Sequence, residues 1–306
     1  MNLLEVADLS VSFPGPSGKI PAVRNISLSL APGECLAIVG ESGCGKSVIA
    51  QAVMRLLPEG TEVLGDMYYH GQNLTHLSES EMEQIRGEEI AMVFQSPERA
   101  LNPVIKIGRQ LIQPQVFHKL CSAKDAELRA KGVLQSLGLD ADWVMNAYPW
   151  MCSGGMCQRI VFAAVSLLHP YVVIADEPTK GLDAERVGEL ETMLSSITSS
   201  GKTSLLLITH DMEVAAHLAD RILVMYCGMI VEEGTAALLL ADPKHPYTRG
   251  LLNSLPKNGF VPIPGMSPAL TALPDGCVFH PRCPIADEEC RKSIPKLRNG
   301  VRCHKC

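Results

Sequence analysis

The 306-residue chain lacks a basic excess: 27 Lys and Arg stand against 33 Asp and Glu, a formal net charge of -6. Nucleic-acid binding ordinarily shows as such an excess over the binding domain, so DNA or RNA as the main partner is disfavoured. No apolar run reaches the ~18 residues that a membrane span requires. The longest candidate, 160–175, is cut by His169-Pro170. The opening residues Met1 to Asp8 lack a basic start followed by an apolar stretch and a small-residue cleavage site, so no secretory leader is expected. The setting read from this is cytosolic, where the eleven cysteines are reduced thiols or metal ligands rather than disulfides. A chain this long needs no staple for its main core, because about three quarters of its unfolded surface can be buried. At about 150 residues per domain, two units are the default.

What is present is an α/β pattern. Leu4 to Phe13 and Ile26 to Leu30 alternate apolar with polar or small residues, which predicts half-buried antiparallel strands joined by the loop Pro14-Gly15-Pro16-Ser17-Gly18. Three runs, Cys35 to Val39, Tyr171 to Ala175 and Ser204 to Ile208, are continuously apolar, as parallel strands covered on both faces should be. After the first, Val48, Ile49, Ala52, Val53 and Leu56 fall on one helical face, with the stop signals Pro58 and Gly60 beyond. Arg221 to Tyr226, Cys227-Gly228 and Met229 to Glu232 read as a hairpin. From about residue 96 to 166 the pattern is helical without a comparable strand run, which predicts a helical insert. Five prolines between Pro256 and Pro274 mark a boundary, giving a main domain over 1–255 and a linker and extension over 256–306. The last thirty residues carry seven Lys or Arg, three Asp or Glu and few large apolar side chains, so a staple is expected there.

Gly40-Glu41-Ser42-Gly43-Cys44-Gly45-Lys46-Ser47 fits G-x-x-x-x-G-K-[ST] and stands between a predicted buried strand and a helix. Glycines let the backbone curl so that successive N–H groups face phosphates, and the helix N-terminus adds favourable dipole potential. Lys46 is expected on the β- and γ-phosphates and Ser47 on Mg²⁺. A second strand ends in Asp176-Glu177-Pro178, which places two acids at the carboxyl edge of a sheet, where ligands of open α/β folds collect. Asp176 suits the magnesium shell. Glu177 suits the base that accepts a proton from an attacking water.

These residues resemble the ATP-binding subunits of ABC transporters. Met151-Cys152-Ser153-Gly154-Gly155-Met156-Cys157-Gln158-Arg159 resembles that family's signature motif and stands where the family has it, about twenty residues before the acidic strand end. The resemblance implies an ABC-transporter nucleotide-binding domain: an α/β P-loop NTPase core with an antiparallel β subdomain and a helical subdomain. It implies also that two cassettes sandwich two ATPs head to tail, with Ser153, Gly154 and Gly155 of one on the γ-phosphate held by the other. An isolated Ser-Gly-Gly is ordinarily just a loop, but order and spacing here favour a helix start that presents N–H groups to an anion. By the same resemblance Gln95 approaches magnesium and water, Asp183 in Gly181-Leu182-Asp183 crosses to the partner cassette, His210 senses the γ-phosphate and Phe13 stacks on adenine. Two positions depart from the general signature, Met156 in place of glutamine and Cys152 in place of a larger apolar residue. The Lys180-Gly181 pair is also unusual.

The resemblance narrows further. Phe94-Gln95-Ser96-Pro97, Leu101-Asn102-Pro103, His245-Pro246-Tyr247-Thr248-Arg249-Gly250, the 262–268 segment and Gly276-Cys277-Val278-Phe279-His280-Pro281-Arg282-Cys283-Pro284 resemble the oligopeptide, dipeptide and nickel importers. That branch implies uptake driven with a second ATPase subunit, as a heterodimer, two membrane permeases and an extracytoplasmic solute-binding protein. The chain would then lie peripherally on the cytoplasmic face of a bacterial-type inner membrane. Peptides are the expected cargo and nickel or a metal chelate the alternative. The thiols at C-x5-C-x6-C-x12-C suit a four-sulfur site, for which spacing leaves zinc and iron–sulfur both open. The branch implies a [4Fe-4S] cluster on Cys277, Cys283, Cys290 and Cys303, more structural than redox-active, and Cys306 is a rival ligand.

Two other function classes compete. A soluble ABC-type ATPase acting on nucleic acid or ribosomes would have a long coiled-coil insert or two cassettes in one chain. This chain has one phosphate-loop motif and a short stretch between Gln95 and Ser153. A metal or redox sensor would not need Lys46, Asp176, Glu177 and His210 together.

Overall fold

The computed structural model describes residues 2–16, 18–199 and 201–306, which form two compact units, Met1–His76 with Leu207–Cys306, and Leu77–Leu206. Ser17, expected in the first loop, and Met1 of the opening segment lie outside the described residues.

The first unit begins with β1 (Leu4–Gly15) and β2 (Gly18–Leu30), paired antiparallel from Leu4↔Leu30 to Gly15↔Gly18. Both strands run beyond the alternating segments. Register shifts between Val6 and Leu9, Leu9 and Val11, and Val11 and Ser12 absorb the breaks in alternation, as bulges do. Pro14 is tolerated near the hairpin end, where a missing N–H costs least. In β3 (Cys35–Val39) every residue is buried. A glycine-rich loop leads to α1 (Lys46–Val53), which stops at Met54 because Arg55 takes a left-handed conformation, φ 51°. Leu56, expected on the buried helical face, is therefore outside the helix and 43% exposed. Next come β4 (Glu62–Tyr69) and β5 (Gln72–Asn73), completing an antiparallel sheet in the order β2-β1-β4-β5.

The second unit starts with α2 (Glu79–Ile85), whose Ser78 and Glu81 form a reciprocal cap that satisfies two N-terminal donors. After β6 (Ile90–Val93) the chain is helical: α3 (Pro97–Ala100), α4 (Ile107–Phe117), α5 (Ala123–Ser136), α6 (Ala141–Asn146) and α7 (Gly154–Ser166). Then β7 (Val172–Asp176) pairs parallel with β6, from Ile90↔Val172 to Val93↔Ala175. The strand is one residue later than expected. Tyr171 is half exposed, while Asp176 joins the strand as its last residue. Following α8 (Ala184–Thr198), the fully buried β8 (Ser204–Thr209) starts in this unit and ends in the first.

Back in the first unit, α9 (Met212–Leu218) precedes β9 (Arg221–Tyr226) and β10 (Met229–Thr235), the expected hairpin. β9 also runs parallel to β3, from Leu36↔Arg221 to Val39↔Val224. This register brings the ends of β3 and β9 together beside the glycine-rich loop. The remaining helices are α10 (Ala236–Ala241), α11 (Pro246–Asn253) and α12 (Glu288–Lys292). The cysteine-rich segment does not stand alone. Glu233 donates its N–H to Gly300 O at 2.7 Å, and Arg302 donates to Val231 O at 2.8 Å, stitching the last residues to β10. Phe279, 2% exposed, packs on the rings of Tyr226 and Tyr247 with centroids 5.3 and 5.4 Å away. Such aromatic pairs stabilise by about 0.5–1.5 kcal/mol beyond burial. No helix among the described residues is long and apolar enough to cross a membrane.

Candidate functional site

In the first unit the loop Gly40 to Gly45 joins β3 to α1. Gly45 caps the helix at φ 103°, and a Cβ there would lie 2.1 Å from Ala22 O. At Gly40 a Cβ would lie 2.2 Å from Met225 O. These two glycines let the loop lie directly against β2 and β9, which no other residue could do. Gly43 is also left-handed, φ 82°, but has open space around it. Gly45, as N-cap, has no side chain to cap the first turn of α1, the end of a helix whose N–H groups suit an anion. Lys46 is 4% exposed and its Nζ donates to Gly40 O at 2.8 Å and Glu41 O at 3.1 Å. The ammonium therefore sits inside the turn of the loop. Ser42 and Gly43 are exposed and Ser47 half-buried, whereas Cys44 is buried. Burial pushes the Cys44 thiol up to about 11, so it is a neutral packing group.

Glu41 is tied to residues far along the chain in the same unit. Its backbone N–H donates to Tyr247 Oη at 3.0 Å, and its carboxylate accepts from Arg282 Nη1 at 2.9 Å. Arg282 is 8% exposed and donates also through Nε to Pro264 O at 3.0 Å and through Nη1 to Tyr226 Oη at 3.3 Å. Burial acts against its charge, and the bonds to Glu41 and Tyr226 outweigh that, so the guanidinium pKa is raised. Sequence reading placed Tyr247 and Arg282 only in branch-marking motifs. His-Pro-Tyr and His-Pro-Arg were the signal, but the contact with Glu41 was not legible in them. Elsewhere in this unit Phe13 is half-buried on β1, opposite Ile20, and His210 is exposed just after β8.

The second unit carries the other candidates. Asp176 ends β7 and Glu177 follows it, and they are 5% and 6% exposed. Glu177 has φ 48°, a backbone state that costs a non-glycine residue about 1–3 kcal/mol and gathers at functional sites. Ser153 is the N-cap of α7 and accepts from Met156 N–H at 3.3 Å, so one of the N–H groups expected to be open is taken by the serine itself. Ser153 and Gly154 are exposed and Gly155 half-buried. Gln95, half-buried, shares the lining of a cavity of about 320 Å³ with Glu98, Gly154, Gln158, Pro178 and Gly181. That hollow brings together the glutamine segment, the start of α7 and the turn after Glu177. Asp183 is exposed, caps α8 by accepting from Arg186 N–H at 3.0 Å, and pairs with the Arg186 guanidinium at 3.6 Å.

In the tail, Cys277 N–H donates to Cys290 O at 2.8 Å, and a Cβ at Gly276 would lie 2.4 Å from the same oxygen. Burial pushes the Cys277 thiol up to about 11, with Cys290, Cys303 and Cys283 adding to it. Cys283 is raised by burial and then by Cys303 and Cys290. Cys306 is exposed, raised to about 11 by burial and by its hydrogen bond with Cys303, and donates to Lys244 O at 3.2 Å. Among the described residues no group of three or more His, Cys, Asp or Glu is disposed to hold a metal ion. Neither the expected [4Fe-4S] cluster nor the zinc alternative therefore has a preformed centre among the described residues.

Residues 23–180 match the ABC transporter family. The chain belongs to the ABC transporter family. Residues 231–290 of this ABC protein match a second family, the oligopeptide/dipeptide transporter C-terminal region. It is 40% identical to the probable D,D-dipeptide transport ATP-binding protein DdpD of Escherichia coli, over 98% of this chain and 95% of that one. It is 42% identical to the dipeptide transport ATP-binding protein DppD of Bacillus subtilis, over 96% and 90%. Among solved structures, the dimeric post-hydrolysis state of the cassette MJ0796 bound to ADP and Pi is similar with a TM-score of 0.68 and 25% identity, over 76% of this chain and 98% of that one. The expected fold class is thus met for the nucleotide-binding domain, and the activity is ATP hydrolysis coupled to transport. The tail cysteines are present, but neither the expected cysteine-rich metal-binding extension nor its metal centre is shown.

Proposed function

We propose that this ABC ATPase powers uptake of dipeptides or oligopeptides. The observation that carries the reading is the match of residues 231–290 to a peptide-transporter region, joined to near-full-length relatives named for dipeptide and oligopeptide transport. It acts with a second, homologous ATPase subunit and two membrane permeases, on the cytoplasmic face of the membrane, and receives cargo from an extracytoplasmic binding protein. Support for pairing comes from the dimeric similar cassettes and from Ser153 and Gly154, exposed at a helix start. The adenine stacks on Phe13. Gly40 to Ser47 hold the phosphates, with Lys46 on the β- and γ-oxygens. Ser47, Asp176 and Gln95 hold Mg²⁺, which supplies charge compensation for the leaving phosphates when bound. Glu177 takes the proton of the attacking water, and His210 hydrogen-bonds the γ-phosphate. Ser153, Gly154, Gly155 and Asp183 act on the nucleotide held by the partner cassette.

Cys277, Cys283, Cys290 and Cys303 hold a [4Fe-4S] cluster that staples the tail. In support of the donor set, Cys290, Cys303 and Cys283 act electrostatically on Cys277, and Cys303 and Cys290 on Cys283, beside the larger effect of burial, so the thiols share one neighbourhood. Iron and acid-labile sulfide in protein purified without oxygen test this part; their absence, or stoichiometric zinc, overturns it. The transport reading is tested in proteoliposomes holding the four-subunit assembly with its binding protein. ATP-dependent accumulation of labelled di- or tripeptide is expected, abolished by Lys46→Ala; accumulation of nickel without peptide overturns it.

A further inference from the structure

Glu41 makes three contacts that together join the cysteine-rich tail to the phosphate-binding lysine. Its carboxylate accepts from Arg282, its N–H donates to Tyr247 Oη, and its carbonyl accepts from Lys46 Nζ at 3.1 Å. Any movement of Glu41 therefore moves part of the seat of Lys46. The loop has few other anchors of this kind. Gly40 and Gly45 rest against backbone carbonyls of Met225 and Ala22, and Gly228 N–H donates to Cys44 O at 2.9 Å. Between Gly40 and Cys44 the grip on the loop from outside is exerted at Glu41.

The two gripping side chains are themselves fixed. Arg282 is planar, bonds Pro264 O and Tyr226 Oη, and lies 5.8 and 6.0 Å from the centroids of Tyr226 and Phe279. A guanidinium held on a ring face and by several acceptors loses little further freedom when it binds a carboxylate. Tyr247 is fully buried at the start of α11, where its N–H donates to His245 Nδ1 at 3.0 Å. That corner is secured in turn by Glu232, 4% exposed, whose carboxylate accepts from the N–H groups of Lys244 at 2.6 Å and His245 at 2.9 Å.

We propose that Arg282 and Tyr247 are positioning residues for ATP: acting through Glu41, they hold the phosphate loop and Lys46 in the nucleotide-binding conformation, so that the docked tail sets the affinity of the cassette for ATP. This deepens the reading of Gly40 to Ser47 as the phosphate loop and rests on it. The grip exists before and during hydrolysis, so its loss removes binding common to ground and transition states. Such a loss raises KM and spares kcat.

The test is ATPase kinetics of the purified assembly carrying Arg282→Gln, Tyr247→Phe, Glu41→Gln or the double variant Glu41→Gln/Arg282→Gln. Arg282→Gln is expected to raise KM for ATP about 10-fold with kcat within about twofold, and Arg282→Lys to recover part of the loss. The double variant is expected to be no worse than either single, as residues acting as one unit behave. A merely structural ion pair would lower the melting temperature and leave KM unchanged. A wild-type KM in folded Arg282→Gln, or additive KM effects in the double variant, overturns the proposal. If Arg282→Gln does not fold, Tyr247→Phe, which removes one oxygen, carries the test, and an unchanged KM there overturns it equally. Lys46→Ala separates the two levels: normal ATP binding in that variant sinks the phosphate-loop reading itself, whereas a normal KM in Arg282→Gln sinks only the coupling to the tail.

Discussion

Two glycines of the phosphate loop share a left-handed backbone but differ in their surroundings, which allows strain and contact to be separated. Gly43→Ala and Gly45→Ala each place a methyl group on a residue with φ of 82° and 103°. The conformational cost is about 1–2 kcal/mol for either, offset in part by the ~0.4–1 kcal/mol that alanine gains through a less flexible unfolded chain. At Gly43 nothing lies within 4 Å of the new carbon, so the cost ends there. At Gly45 the carbon would lie 2.1 Å from Ala22 O, where real contacts hardly fall below 3.0 Å, and the obstacle is backbone of a paired strand. The helix start must retreat by most of an ångström, and Lys46 with it. A displacement of about 1 Å at a reacting centre costs about 10²-fold in rate. We therefore expect kcat/KM for ATP to fall about 100-fold in Gly45→Ala and no more than about 10-fold in Gly43→Ala. Phosphate release from the assembled transporter over a range of ATP concentrations measures both. Equal losses in the two variants would refute the argument, since close contacts, with Ala22 and with the flexible end of Met225, surround the new carbon only at Gly45.

Glu177→Gln should retain ATP binding and lose about 10²–10⁴-fold in turnover, seen as tight nucleotide retention with little phosphate release. Wild-type turnover would remove Glu177 from its assigned role. His245 is held neutral, its pKa lowered by burial to about 4, with Nδ1 accepting from Tyr247 N–H. The unfolded chain takes up this proton near pH 6.5 and the folded chain only near pH 4, so the stability contribution is complete above about 6.5 and is lost as pH falls through that window. Denaturation curves at pH 5 and 7 should show the difference, and His245→Gln should flatten it.

The elements that frame the proposed nucleotide site were legible because their signals are written in short stretches. Gly40 to Ser47 announce a phosphate loop wherever a strand precedes and a helix follows, and both are present as β3 and α1. Continuous apolar runs gave β3, β7 and β8 within a residue at each end. Boundaries failed where local backbone state decided them: Arg55 turns left-handed and leaves Leu56 outside α1, and bulges carry β1 and β2 past their alternating segments. The grip on Glu41 was not legible at all. It joins position 41 to positions 247 and 282, and no local periodicity encodes a contact across so much chain. Equally, four cysteine positions state a donor set but not its spacing in the fold, and the backbone bond from Cys277 to Cys290 joins positions thirteen residues apart.

The stitching of residues 300–302 to β10 has a consequence for synthesis. The ribosome makes Gly40 to Ser47 early, whereas Arg282, Gly300 and Arg302 follow more than two hundred residues later. A nascent chain therefore carries the proposed phosphate loop before Arg282 holds Glu41 from the tail side, and a message cut short after codon 275 would yield a protein permanently in that state.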